Sequence, residues 1–194
     1  MGPNLKQVAH YLYEIGHLKR LRRSGWWRMG VRDPETVAEH CFRTAIIGYI
    51  LASLEGADAE RTASICLFHD AAEARVGDIS WLARRYLASQ EAEPRAFRDQ
   101  VEHLPEYLPQ KIAELFQEQA QQLTREGQLA READILECLL QAREYAAQGY
   151  AKGMEWAQMC REGLKSEIAR TLADYCLESD PGAWFESLQQ NPHL

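Results

Sequence analysis

The sequence predicts an all-α fold, and three observations carry that expectation. Apolar residues recur at three- and four-residue steps in at least four segments; no stretch alternates Val, Ile or Thr with strand period; and no Asn-Gly hairpin occurs. There is no internal repeat, linker or low-complexity stretch, so the 194 residues are expected to form one domain. Its motif-bearing core is expected over about 5–150, with C-terminal helices over about 154–188.

The elements follow in order. Leu5, Val8, Leu12, Ile15 and Leu18 mark a first helix over 5–21. Arg20-Leu21-Arg22-Arg23-Ser24-Gly25-Trp26-Trp27-Arg28-Met29-Gly30 reads as a basic, aromatic loop, since two glycines interrupt it. A second helix starts either at Asp33-Pro34, as N-cap and N1, or at Thr36-x-x-Glu39, a capping box. It runs through Phe42, Ala45, Ile46, Tyr49 and Ile50 to Gly56, with His40 on the same side as these apolar residues. Asp58 can cap a third helix that ends at Gly77. Ile79 to Tyr86 reads as a short helix. Polar Gln90 to Gln100, with Pro94 inside it, is expected to be a mobile connection carrying a helical turn or more. Ile112–Leu123 reads as a charged helix, and Leu129–Ala147 as an amphipathic one. A long last helix is expected from Met154 to Leu177, with Trp156, Cys160, Leu164, Ile168, Leu172 and Tyr175 on one stripe. Pro181 opens a C-terminal segment containing Trp184 and Phe185.

Composition removes several classes of function. Lys+Arg is 22 against Asp+Glu 29, a formal charge of −7, which opposes a broad nucleic-acid-binding face. No apolar run approaches the roughly 20 residues of a membrane span, and the N-terminus lacks the apolar core of a signal peptide. Five scattered cysteines without a C-x-x-C suit small packed residues in a reducing cytoplasm.

The chemistry concentrates in Ser64-Ile65-Cys66-Leu67-Phe68-His69-Asp70-Ala71-Ala72-Glu73-Ala74-Arg75-Val76-Gly77-Asp78. His69 and Glu73 stand i and i+4, and would share a helix face. Asp70 and His69 can both reach one point beside that helix. Gly77 permits a sharp exit that could return Asp78 to it. Alone, His-Asp is a weak signal, because a solvated His and an Arg-paired Asp are common on helices. The chain adds two partners. His40 lies in the first turns of the second helix, and Asp134 falls inside an apolar band, where an unpaired carboxylate costs several kcal/mol. Two His and two Asp form a nitrogen–oxygen donor set without thiolate. Such a set suits Mn²⁺, Fe²⁺, Co²⁺, Ni²⁺ or Zn²⁺ rather than a closed structural zinc site.

His40, His69-Asp70 and Asp134 in an all-helical chain resemble the H…HD…D signature of the HD-domain metal phosphohydrolases. Leu18-Lys19-Arg20-Leu21-Arg22-Arg23-Ser24-Gly25-Trp26, Pro34-Glu35-Thr36-Val37-Ala38-Glu39-His40, His69-Asp70-x-x-Glu73-x-x-x-Gly77-Asp78 and Ala133-Asp134-Ile135-Leu136-Glu137 resemble its 5′-deoxynucleotidase (YfbR-like) branch. The resemblance covers roughly residues 5–150. It implies a single HD-domain helical bundle that hydrolyses (deoxy)ribonucleoside 5′-monophosphates, deoxyribonucleoside ones above all, to nucleoside and phosphate, with one divalent metal, as a homodimer. It also implies ligands His40, His69, Asp70 and Asp134, an acid/base Glu73, an Asp78 that contacts the sugar, and a Trp26 that walls the sugar pocket. The bacterial pattern has Arg directly before the Trp, where this chain has Gly25. The Arg-Thr-Gly-Trp pattern of other relatives fits better and points to Arg23 as the phosphate binder, with Arg22 and Arg28 as alternatives. Exposed aromatics near the C-terminus, Trp184 and Phe185, add to the homodimer expectation. Two other readings compete: a two-metal HD phosphodiesterase, for which only His103 lies between Asp70 and Asp134 as an extra His, and a nucleotide sensor without activity.

Overall fold

A computed structural model of the chain describes residues 4–87 and 89–190. They form helices α1 (Leu5–Ile15), α2 (Val37–Glu55), α3 (Ala59–Phe68), α4 (Glu73–Val76), α5 (Ser89–Val101), α6 (Leu108–Gln121), α7 (Arg125–Ala147), α8 (Gly153–Gly163), α9 (Glu167–Glu178) and α10 (Ala183–Gln190). The described residues hold no strand, and a lone antiparallel bridge joins Arg22 to Thr36. The all-α expectation therefore stands. The chain divides into two compact units, Met1–Asp134 and Ile135–Leu194.

In the first unit, α2 packs on α3. Close approach is possible because Gly48 lacks a Cβ: one built there would stand 2.7 Å from Cys66 Sγ. Thr36 caps α2 in a full capping box with Glu39, so the second of the two predicted starts is the one used. The α2 face toward the core carries His40, Cys41, Thr44, Ala45, Ile47, Gly48, Leu51 and Ala52. Phe42, Ile46, Tyr49, Ile50 and Leu54 lie on its other side and are exposed, so of the predicted apolar set only Ala45 shares the face of His40. The reason is that α2 is apolar almost all round, which hides its true inward face from a periodicity argument. By length and composition α2 could cross a membrane, contrary to the run-length expectation; half of that window is buried, as in a core helix.

A second cluster joins Tyr11 of α1, Ala71 and Ala72, Ala96, Phe97 and Val101 of α5, Leu104, and Phe116 of α6. Phe97 and Phe116 stack with ring centroids 4.0 Å apart. This corrects the polar stretch 90–100, which is helix rather than a mobile connection. Ala96, Phe97, Gln100 and Val101 give it an inward stripe, and burial of that stripe outweighs the interruption by Pro94. Ile79–Tyr86 is the opposite case. The expected helix shrinks to a three-residue 3₁₀ turn, Ala83–Arg85, because this segment buries no residue there to hold a longer one.

In the second unit, the long last helix predicted over 154–177 is two helices. α8 stops at Gly163, and Ser166 caps α9 by accepting from the Ala169 N–H. α8 packs on α9. Gly153, at the start of α8, lets that backbone approach α7, since a Cβ there would meet Ala142 O at 2.5 Å.

Candidate metal centre

The organising stretch does not continue as one helix. α3 ends at Phe68, and the next bonds close at three residues instead of four: Ala71 N–H to Phe68 O at 3.1 Å, Glu73 N–H to Asp70 O at 3.0 Å, and Ala74 N–H to Ala71 O at 3.2 Å. His69 and Glu73 are therefore not stacked on one α-helical face as predicted; a tight elbow lies between them. Its position is fixed from two sides. Gln100 Nε2 donates to Ala71 O at 3.0 Å, and His17 Nδ1 donates to Ala74 O at the same distance. Ala71 and Ala72 are buried in the α1–α5–α6 cluster. A propensity argument cannot see this elbow, because its cause is packing on residues distant in sequence.

The elbow brings four predicted side chains together. His40 Nε2 lies 3.3 Å from His69 Nε2, 3.3 Å from Asp134 Oδ1 and 3.7 Å from Asp70 Oδ2. His69 Nε2 lies 3.1 Å from Asp70 Oδ2. Donors about 2.0–2.2 Å from one cation, at right angles, stand about 3 Å from one another. His40, His69 and Asp134 form one close group, and Asp70 adjoins it through His40 and His69, so the donor set suits a divalent ion. His69 is oriented for it: Nδ1 meets Cys66 O at 2.6 Å, and since a carbonyl only accepts, Nδ1 carries the proton and Nε2 is left as the donor atom. Cys41 Sγ forms a further close group with His69 and Asp70. Cys41 is among the cysteines expected to pack, and it does so beside the cluster, next to His40 in sequence.

The electrostatics are those of a compact charged cluster. Burial pushes Asp70 toward its neutral form, but His69, Arg23 and His40 prevail and hold its carboxyl well below the ordinary range. Asp134 is likewise held low against burial, by His40, His69 and Arg131. Burial works against a charged His69, yet Asp70 beside it raises it well above the usual value. Glu73 behaves oppositely. Burial first, then Asp70 and Asp78, push it up to about 10, so it is protonated at neutral pH. Its Oε2 is buried without a hydrogen-bond partner.

The basic loop closes one side. Arg23 Nη1 donates to Asp70 Oδ2 at 3.1 Å, which brings Arg23 to the cluster. The two alternative phosphate binders are engaged elsewhere: Arg22 with Pro34 O at 2.9 Å and Asp33, Arg28 over the Trp81 ring at 4.5 Å. Residues 24–29, expected as loop, form a 3₁₀ helix. Trp26 is only 2% exposed, and its Nε1 donates to Glu35 Oε1 at 2.9 Å. It is a packed residue, and Glu35, missed in the sequence, is its anchor. Asp78 is fastened to this segment: the Ser24 N–H donates to Asp78 Oδ2, and Ser24 Oγ donates to Asp78 O at 3.0 Å. Gly77 supplies the turn to Asp78 with φ 79° and ψ 164°, a region open in practice to glycine alone. His103 lies apart, with its side chain 69% exposed and paired to Glu102.

Comparisons with known proteins place the chain in a family. Residues 15–174 match the HD domain family. The chain is 32% identical over 147 residues to the 5′-deoxynucleotidase HDDC2 of Bos taurus, covering 74% of this chain and 70% of that protein. It is 29% identical over 155 residues to the 5′-deoxynucleotidase YfbR of Escherichia coli, covering 73% and 75%. Among solved structures, a conserved hypothetical protein from Pyrococcus furiosus superposes with a TM-score of 0.73 at 36% identity, over 88% of this chain and 97% of the other. With the donor set, the elbow that assembles it and these matches together, the chain belongs to the HD-domain family, alongside relatives of the 5′-deoxynucleotidase kind.

Proposed function

We propose that this protein is a divalent-metal-dependent phosphohydrolase that releases phosphate from deoxyribonucleoside, and to a lesser degree ribonucleoside, 5′-monophosphates. The observation that carries the reading is the convergence of four side chains: His40 lies 3.3 Å from His69 and from Asp134 and 3.7 Å from Asp70, and His69 lies 3.1 Å from Asp70. A divalent cation held by these four would supply Lewis acidity toward phosphate oxygens and a more acidic water.

The remaining residues divide the work. Arg23 offers a guanidinium fork to the phosphate, a bidentate geometry that Lys lacks. Its bond to Asp70 supports it over Arg22 and Arg28, whose guanidinium groups are engaged elsewhere. Glu73, its carboxyl pushed up by burial and by Asp70 and Asp78 and its Oε2 unpaired, is the acid/base group near the attacking water. Asp78, steadied by Ser24, is the sugar contact. Trp26, anchored by Glu35, is the wall of the sugar pocket in this reading, and its bulk would disfavour a ribose 2′-hydroxyl. The family match runs over residues 15–174, across the boundary between the two units, and supports one functional domain. Free, undisulfided cysteines fit a cytoplasmic setting, and the protein works as a homodimer.

The two-metal phosphodiesterase reading loses support from the exposed His103. The test is phosphate release from a panel of ribo- and deoxyribonucleotides with Co²⁺ or Mn²⁺ added. Release from dAMP in preference to AMP is expected. Binding without release would make the protein a sensor, and equal rates on AMP and dAMP would remove the deoxy selectivity.

A further inference from the structure

We propose that the exposed face of α2 is where two copies of this chain meet, about a two-fold axis that crosses the midpoint between Ile46 and Ile50. The inference rests on the reading above that the protein pairs with itself, and it names the surface.

α2 is apolar on nearly every side, a pattern that belongs to a helix covered all round. Yet only one side is covered. Phe42 is 65% exposed, Ile46 46%, Tyr49 49%, Ile50 46% and Leu54 61%. Together they leave on the order of 500 Å² of contiguous apolar surface, at the upper end of what a monomer shows. A stable interface takes about 800 Å² per partner, so the stripe would be its apolar centre with a polar rim around it.

The spacing selects the occupant. Phe42, Ile46, Ile50 and Leu54 follow one another at four-residue steps, which makes them a single i±4 ridge. Its two central residues are both Ile and both its ends are apolar. A two-fold axis at its centre sets Ile46 against Ile50 of the partner subunit and Phe42 against Leu54 of the partner subunit. Two such ridges pack at an interaxial angle near −50°, the commonest class for helices. An isologous contact needs a self-complementary patch, and this ridge is one.

Charge agrees. The protein carries a formal −7, so most pairs of faces would repel. From Phe42 to Leu54 the sole charged residue is Arg43, near one end, so the axis itself is free of charge. The same facts disfavour an anionic lipid surface, which binds helices with Lys and Arg along their polar face. Trp184 and Phe185, the aromatics singled out in the sequence, are also exposed, but they are adjacent in sequence and pack edge to face on each other rather than forming a four-residue ridge. Pairing through α2 also has a consequence for the centre: His40 sits two residues before Phe42 on the same helix, so the partner would brace the helix that presents it.

Light scattering of the full chain tests the proposal. The wild type is expected at twice 22.2 kDa in the micromolar range. Ile46→Glu/Ile50→Glu should weaken dimerisation by roughly a hundredfold or more, because charges would be buried at the axis. Trp184→Ser/Phe185→Ser should leave the dimer unchanged. Circular dichroism verifies that each variant is folded. Phe42→Ser/Leu54→Ser, which adds no charge, should also shift the equilibrium and stands in if the glutamate variant does not fold. A wild type at monomer mass overturns pairing altogether. A dimer that survives both α2 variants overturns the face while leaving pairing intact. A monomeric wild type that sediments with phosphatidylcholine vesicles, with or without phosphatidylglycerol, shows that lipid is the occupant. None of these readouts depends on nucleotide hydrolysis, so the substrate reading stands or falls separately.

Discussion

Two Arg–Asp pairs, one in each unit, show that good geometry and large effect are different things. Arg161 grips Asp174 with two contacts, at 2.8 and 2.9 Å, and their side chains are 31% and 51% exposed. Arg23 touches Asp70 with one contact, at 3.1 Å, and their side chains are 16% and 18% exposed. The first pair is the better shaped. The second is expected to matter far more, because water screens the first and is kept from the second. Breaking a buried pair also strands a charge, which is the larger part of its cost. Arg61–Glu118 lies between them: Glu118 is buried, Arg61 is half exposed, and their contacts include one at 3.0 Å.

Each pair can be broken to test that ordering. The largest effect is expected for Asp70→Ala, which removes both an Arg23 partner and a member of the donor cluster. Phosphate release should fall on the order of 10³-fold or more, since the cation contributes several kcal/mol to such reactions. Elemental analysis should find the metal lost with the activity; a variant with full metal content would reject the proposed ligand set. Arg23→Ala comes next. It should keep its metal and lose about 2–5 kcal/mol of transition-state stabilisation, or roughly one to three or more powers of ten in kcat/KM. If that variant is silent while Arg28→Ala is crippled, the phosphate contact is shifted along the loop.

The third effect is on stability and has a defined pH dependence. Burial pushes the Glu118 carboxyl up, but the bonds from Arg61 and Thr124 prevail and lower it. A lowered folded value means that the unfolded chain takes up the proton first as pH falls. The stabilisation is therefore complete above the unfolded value, near ~4.3, and is lost as pH drops through the folded one. Glu118→Gln should cost about 1 kcal/mol in urea denaturation at pH 7, a figure reduced for the exposed Arg61. The gap between variant and wild type should close in acid; a gap that is constant with pH would mean that charge is not its source. The smallest effect is expected for Arg161→Ala and Asp174→Ala. A double-mutant cycle should find no coupling that stability measurements resolve, and a large coupling there would overturn the ordering drawn from exposure.

The difference between the pairs also marks what can be read from a sequence. Local chemistry was legible. Thr36-x-x-Glu39 announces the start of α2, and the structure forms that capping box with both of its bonds. His40, His69-Asp70 and Asp134 were legible as a nitrogen–oxygen set, because their residue types are costly in an apolar helix without a shared purpose. What escaped was decided by neighbours. Polar 90–100 is a helix because Phe97 finds Phe116. The predicted helix over 154–177 breaks at Gly163 and restarts at Ser166, a cap that its stripe of apolar residues masked. The inward face of α2 was misjudged because both of its faces are apolar.

The sequence by itself determined the fold class and the glycine turn that returns Asp78 and named the candidate metal-suited side chains, since helical period, glycine conformation and residue type are all local properties. The tertiary structure alone decided that α3 stops at Phe68, that Gln100 and His17 hold the elbow, that Glu35 anchors Trp26, and that Arg23 is the loop arginine beside Asp70. Those choices are made by burial and by bonds between residues 9 to 57 positions apart, and no local pattern encodes them.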